Sequence, residues 1–255
     1  MHKLAYWLRA AQHPLQFMRR RAVERCGLEY NVYRLYNRRW LLAMDFDMIL
    51  DVGAARGAHS LVLHHLFPRA ELHAFEPLAG SYEQLARNLS SLRRVFAHNV
   101  ALADVDGRSP LYVADSSHRD ASSLMPMTAS HTHTYPGTRV SGVDTVQTRR
   151  LDSLLALGSD QRALVKLDVQ GGEACVVTGG PEFFRRTSVI IVEVSFRQLY
   201  EGALSFEELY DLLRHLGFAF RGALSQDVSP QTGEIRQADL IFVGERPPLS
   251  AGVEQ

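Results

Sequence analysis

The 255-residue sequence predicts an α/β fold: a doubly wound, mainly parallel sheet of seven strands with an antiparallel last strand, preceded by N-terminal helices. Three observations carry this reading. Short apolar runs alternate with helical patterns from Met48 to Val194, as repeated βα units do. The first run, Ile49-Leu50-Asp51-Val52, breaks at Gly53 and reaches a second glycine, Gly57, just before a helical pattern begins. Two final strand patterns, Phe218–Leu224 and Ala238–Val243, flank a turn containing Pro230 and Gly233 and so pair antiparallel.

The elements follow in order. Residues 1–44 hold nine Lys/Arg against two acids, Glu24 and Glu29, a net +7 that the rest of the chain balances with −7. Tyr6, Trp7, Phe17, Tyr30, Tyr33, Tyr36 and Trp40 interleave with these charges, and the pattern reads as two or three helices. Such an arm is either a helical cap with a solvated basic side or a docking surface for an anionic partner. A peripheral membrane contact fits the second reading; specific nucleic-acid recognition is not expected. Residues 45–246 then read as one catalytic-size domain, with 247–255 as a tail.

Within that domain Met48–Gly53 is the first strand and Gly57–Phe67 its helix. Ala70–Phe75 is the second strand, ending at Glu76-Pro77, and Ser81–Leu89 the next helix. Val95–Leu102 is the third strand. The rhythm then breaks: Asp106-Gly107 is a turn, Pro110–Val113 a short strand, Asp115–Gly137 a polar loop, and Val140–Thr148 an edge strand. Leu151–Leu157 reads as a short helix. Alternation resumes with strand Ala163–Val169, helix Glu173–Val177 and strand Val189–Ser195. Ser205–Leu216 is a helix with Ser205 as N-cap, Glu208 at the capping-box position and Gly217 closing it.

Composition narrows the class. Hydrophobic content of 46% and charge of 22% are those of an ordinary globular protein. Cys26 and Cys175 stand far apart with no C-x-x-C, which predicts a reducing, cytoplasmic setting and not a disulfide scaffold. No run approaches the roughly 18 apolar residues of a membrane span, and no secretory signal is expected.

The chemistry concentrates at strand ends. A strand turning sharply into a helix presents backbone N–H groups to a nucleotide-like ligand. Gly53-Ala54-Ala55-Arg56-Gly57 is G-x-x-x-G and lacks the central glycine of a dinucleotide loop. Asp51, just ahead of the turn, favours a cationic ligand, so S-adenosylmethionine fits better than NAD. Glu76 lies 23 residues past Gly53, where a carboxylate can accept both ribose hydroxyls. Val100 and Ala101, after Asn99, offer an apolar wall for an adenine ring. In Lys166-Leu167-Asp168-Val169-Gln170-Gly171-Gly172-Glu173, Lys166 and Asp168 share one face of a strand, with Asp168 over the crevice where open α/β sheets bind ligands. Glu173 opens a helix, where the dipole alone explains an acid. Glu193 interrupts the apolar run Val189–Val194 and needs a partner, for which Lys166 is the natural candidate. His118 and His131 in the polar loop could serve as general bases. His131-Thr132-His133 has no third ligand at matching spacing, and no metal is expected.

Together these motifs resemble the FkbM family of S-adenosylmethionine-dependent methyltransferases, from about Ile49 to Val243. The resemblance rests on Asp51-Val52-Gly53-Ala54, Phe75-Glu76-Pro77, Val100-Ala101-Leu102-Ala103-Asp104, Ala121-Ser122-Ser123-Leu124, Arg150-Leu151-Asp152, Leu167-Asp168-Val169-Gln170-Gly171 with Glu173, and Gln237-Ala238-Asp239. It implies a Rossmann-like class I methyltransferase fold and methyl transfer to oxygen, usually on a sugar or natural-product hydroxyl. It carries over Asp51, Gly53, Gly57 and Glu76 as cofactor contacts and Asp168 as a residue near the transferred methyl. Ala55 stands where many members have asparagine, and Gln170 where glutamate is frequent.

The expectation is therefore an O-methyltransferase acting on a sugar, glycolipid or natural-product hydroxyl. Asp51, Gly53, Ala54, Arg56, Gly57, Glu76, Pro77, Val100, Ala101 and Asp168 are expected to line the cofactor site. Asp168, then His131 and His118, are the candidate bases, with Lys166 and Glu193 orienting them. The rival readings are an NAD-dependent oxidoreductase and a catalytically silent cofactor-binding module recruited through its basic arm.

Overall fold

In strands β1 (Met48–Val52), β7 (Ala163–Leu167) and β8 (Val189–Ser195) nearly every residue is buried, which is why they read as continuous apolar runs. The structure, a computed structural model, describes residues 14–244. Lys3, Tyr6, Trp7 and Arg9 of the expected arm and the tail from 247 lie outside those residues.

Strands β2 (Glu71–Phe75), β3 (Val95–His98), β9 (Phe218–Val228) and β10 (Ile235–Gly244) complete a seven-stranded sheet in the order β3-β2-β1-β7-β8-β10-β9. β3, β2, β1, β7 and β8 are parallel, and β10 pairs antiparallel with β8 and with β9. The expected antiparallel strand is thus present, one place in from the edge. Helix α10 (Phe206–His215) carries the chain across to the outer strand β9, and β10 folds back into the gap beside β8. Ser205 and Glu208 form the expected capping box at the start of α10.

Residues of opposite parity along the strands build two cores. Leu50, Val52, Val165, Leu167, Ile190 and Val192 pack with Val176, Phe183, Phe184 and Leu213 on one face. Ile49, Leu72, Leu164 and Ile191 pack with Val62, Leu63 and Leu85 on the other. That second core also contains Leu28, Tyr36 and Leu41. Helices α1 (Pro14–Arg25), α2 (Tyr30–Tyr36) and α3 (Arg39–Leu42) are therefore joined to the domain by a shared core, with no structural break at residue 44. Their basic side is solvated at Arg25, Arg34, Arg38 and Arg39.

The other differences follow from tertiary pairing. The third strand expected over 95–102 breaks after His98, and its last two residues, β4 (Ala101–Leu102), join a separate three-stranded sheet. In that sheet β6 (Val140–Arg149) is central, between β4 and β5 (Gly107–Ala114), and is not an edge. The polar segment 115–137 contains a 3₁₀ turn at Arg119–Ala121 and helix α6 (Ala129–Thr134), N-capped by Thr128. Helix α7 covers only Leu151–Leu154.

Candidate active site

A cavity of about 730 Å³ opens at the carboxyl ends of β1, β2 and β7. Its first wall is the turn after β1. Gly53 takes φ +82°, and a Cβ there would stand 1.8 Å from the Asp168 carbonyl oxygen, so only glycine lets the turn and the end of β7 approach this closely. The N–H groups of Gly53 and Ala54 donate to the Phe75 carbonyl at 3.0 and 2.9 Å, tying the turn to the end of β2. Helix α4 (Ala58–Leu66) then begins behind Gly57.

Glu76 extends from β2 into this wall. Its Oε2 accepts the Ala55 N–H at 3.0 Å and its Oε1 the Leu78 N–H at 2.9 Å. Burial pushes its carboxyl up to about 7, against the lowering pull of those two N–H groups. Pro77, Val100, Ala101, Leu102 and Leu111 form an apolar wall beside it, and Ala54 and Arg56 line the turn.

The third wall is ionic. Lys166 Nζ donates to Asp168 Oδ2 at 3.0 Å and lies 3.7 Å from Asp51 Oδ1. Burial would lower the ammonium's pKa, but the two carboxylates hold it above the ordinary lysine value. Burial would likewise raise Asp168, yet Lys166 and the Gln170 amide keep it below the usual carboxylate value, so it is ionised at neutral pH. Both residues line the cavity.

Not every expected residue comes to this place. Asp51 is fully buried beneath the turn, accepting the Ser60 hydroxyl at 2.6 Å and facing Lys166; its carboxylate is used inside the protein and does not line the cavity. Gly57 is the N-cap of α4 at φ +90°, and a Cβ there would press on Leu85 at 2.8 Å, so its role is packing. Glu193 does not pair with Lys166, because Asp51 and Asp168 already hold that ammonium. It accepts instead from Gln170 at 2.8 Å and Gln237 at 3.1 Å, and lines a separate, smaller cavity. Burial, with Asp168 as its most influential neighbouring charge, raises its pKa well above the ordinary value.

The two histidines stand apart as well. His118 is exposed, paired with Asp115 at 3.1 Å, and does not line the cavity. His131 is buried on α6 against Tyr135 and Tyr200, with neither ring nitrogen hydrogen-bonded, and it does not line the cavity either. Because residues 129–134 are helical, His131 and His133 project in different directions and not along one face of an extended segment.

Two contributions to the cavity lie outside the motifs of the sequence. His59, in the first turn of α4, lines the cavity, and burial pushes its imidazole down to about 4, with Lys166 adding to the effect. Gly27, Glu29 and Val32 of the basic arm line it too. His59 follows Gly57 by two residues and was visible as a first-turn residue; nothing local marked the arm.

A chain with this strand order, an acid-bearing second strand and a G-x-x-x-G turn at one cavity matches the family model described as the methyltransferase FkbM domain over residues 51–220. The chain belongs to the FkbM methyltransferase family. It is 33% identical over 178 residues to the 2-O-methyltransferase NoeI of Sinorhizobium fredii, across 68% of this chain and 73% of that protein. It is 28% identical over 221 residues to the AMB antimetabolite synthetase AmbE of Pseudomonas aeruginosa, covering 74% of this chain but only 10% of that much longer protein. The solved methyltransferase FkbM of Methylobacillus flagellatus superposes with a TM-score of 0.51 at 12% identity, over 83% of this chain and 47% of that one, a likeness of fold.

The cofactor of this FkbM methyltransferase is S-adenosylmethionine. The residues present fit it: Glu76 offers carboxylate oxygens for a ribose diol, the Val100–Leu102 wall suits a flat heterocycle, and ionised Asp168 complements a cationic sulfur. Among the described residues no helix is long and apolar enough to cross a membrane.

Proposed function

We propose that this methyltransferase alkylates a hydroxyl oxygen on a sugar, glycolipid or natural-product acceptor. The observation that carries the reading is Asp168, a carboxylate kept ionised by Lys166 and turned into the cofactor cavity. The name of NoeI, a 2-O-methyltransferase, supports oxygen as the accepting atom. When bound, the cofactor supplies an electrophilic methyl on a positively charged sulfur. The chain's own task is placement, which in favourable cases lowers a barrier by about 7–11 kcal/mol. Asp168 accepts the acceptor's O–H as a hydrogen bond, aims the oxygen and receives its proton. Lys166 fixes the carboxylate and keeps it charged. Glu76 anchors the ribose end, so that cofactor and acceptor meet at the carboxyl end of β7.

The test begins with isothermal titration of S-adenosylhomocysteine, with NADH as the control. Binding of the former alone is expected; binding of NADH alone would return the oxidoreductase reading. Tritiated S-adenosylmethionine is then incubated with a panel of hydroxylated glycans, glycolipids and polyketides. Label in an alkali-stable methyl ether is the expected product. An Asp168→Asn variant that binds cofactor normally and keeps full turnover would remove Asp168 from its role.

A further inference from the structure

Gln170 is the residue on which four parts of the chain converge, and nothing in the proposed reaction yet uses it. It follows β7 by three positions and takes φ +60°, a left-handed conformation uncommon for a residue other than glycine. Its side-chain Nε2 donates to Asp168 Oδ1 at 2.8 Å and to Glu193 Oε2 at 2.8 Å. Its Oε1 accepts the Tyr200 hydroxyl at 2.8 Å, a donor shared with the Ala121 carbonyl at 3.0 Å, and its main-chain carbonyl accepts the Ser123 hydroxyl at 2.7 Å.

This arrangement leaves the amide one orientation. Both of its hydrogens are committed to carboxyl groups, and its oxygen is committed to a phenol. A flip would set the amide oxygen against the ionised Asp168 carboxylate, with no hydrogen between the two. Asp168 is fixed at the same time, Oδ2 by Lys166 and Oδ1 by Gln170, so the plane of its carboxylate cannot turn. The amide has a hydrogen for each of its two acidic neighbours, where a protonated carboxyl would have one and a carboxylate none.

We infer that Gln170 is a positioning residue: it locks the Asp168 carboxylate toward the cavity and so creates the site's preference for a positive charge at the cofactor's sulfur. The inference rests on the proposed reading, in which cofactor and acceptor meet beside Asp168 at the carboxyl end of β7. Tyr200 and Ser123 act one step further back, holding the amide and its strained main chain.

The test is isothermal titration of the full chain and its Gln170→Met, Asp168→Asn and doubly substituted variants. Each is titrated with S-adenosylhomocysteine, uncharged at sulfur, and with sinefungin, which carries an amine cation at that place. Wild type is expected to prefer sinefungin by about tenfold, the worth of one charge-assisted contact. Q170M and D168N should each lose most of that preference, read as the ratio of the two affinities in the same protein, and the double variant no more than either alone. Tyr200→Phe, which leaves the amide in place but unpinned, should lose part of it and serves if Q170M does not fold. Full preference in Q170M or Y200F beside its loss in D168N would overturn the inference. So would a preference that D168N leaves untouched. Failure of wild type to bind S-adenosylhomocysteine would instead sink the cofactor reading itself, and the inference with it.

Discussion

The phenolic oxygen of Tyr36 lies 2.6 Å from Nδ1 of His59. The bond joins the basic arm to a wall of the candidate site's cavity, for Tyr36 belongs to α2 and His59 lines that cavity. Tyr36 is only 1% exposed, its ring packed in the core shared by the arm and the sheet. The arm is thereby part of the catalytic domain's architecture as well as its basic surface.

The first prediction follows from that bond. Tyr36→Phe removes one hydrogen bond and is expected to cost about 1 kcal/mol. Tyr36→Ala empties a buried aromatic site and is expected to cost about 3–5 kcal/mol. A chain lacking residues 1–44 also loses Leu28 and Leu41 from the core and should fail to give a cooperative unfolding transition. Urea denaturation followed by circular dichroism measures all three.

Lys166 lies between a buried acid, Asp51, and a half-buried one, Asp168. Lys166→Met leaves Asp51 and Asp168 without their shared counter-charge, and Asp51 Oδ1 has no hydrogen-bond partner to replace it. Breaking a buried pair from one side typically costs about 3–5 kcal/mol, and that loss is expected here. Adding Asp51→Asn to Lys166→Met should recover part of it, because one uncompensated charge is removed. Chemical denaturation of the two variants gives the comparison; an unchanged double variant would contradict it.

Glu76 makes cofactor affinity depend on pH. Its carboxyl sits near 4.5 when unperturbed and at about 7 in the fold. The neutral form therefore stabilises the cofactor-free protein fully below about pH 4.5, and this contribution is lost as pH rises through about 7. Binding runs the other way, because the ionised carboxylate is the better acceptor for ribose hydroxyls. Affinity for S-adenosylhomocysteine should fall by up to about tenfold per pH unit below 7, with proton release on binding. Titration calorimetry in buffers of different ionisation enthalpy checks both. Glu173, also raised to about 7 by burial, lies outside the cavity, so Glu76→Gln should flatten the profile if Glu76 is its source.

Gly53→Ala should be among the most damaging single changes in the chain. The new Cβ would fall 1.8 Å from a main-chain oxygen, at φ +82°, with no flexible atom to yield. A loss of more than about 4 kcal/mol is expected, with loss of cofactor binding. Gly233→Ala is the control: φ is +72° there but nothing lies within 4 Å, so only the left-handed conformation resists, at about 1–2 kcal/mol. Thermal melts of both variants separate contact from conformation.

Much of the site was legible before the fold was known, because its signals are local. The glycine turn, Glu76 at the end of one apolar run and Asp168 at the end of another can each be read within about ten residues, and period-two alternation correctly put Lys166 and Asp168 on one face. The β4–β6–β5 sheet was less legible, since Ala101 and Leu102 look like a continuation of β3 until their pairing with Thr148 and Arg149 is seen.

Local patterning sufficed for the mainly parallel α/β architecture, the glycine turn at the cavity and the acids at the strand ends. These depend on where polar and apolar residues fall along a few consecutive positions. Long-range packing was needed to turn Asp51 inward to Lys166, to link Glu193 to Asp168 through Gln170, and to bring the basic arm to a wall of the cavity. The first two outcomes depend on polar partners 115 and 23 residues apart that the order of the sheet brings together, and the third on the core that Leu28, Tyr36 and Leu41 share with the sheet.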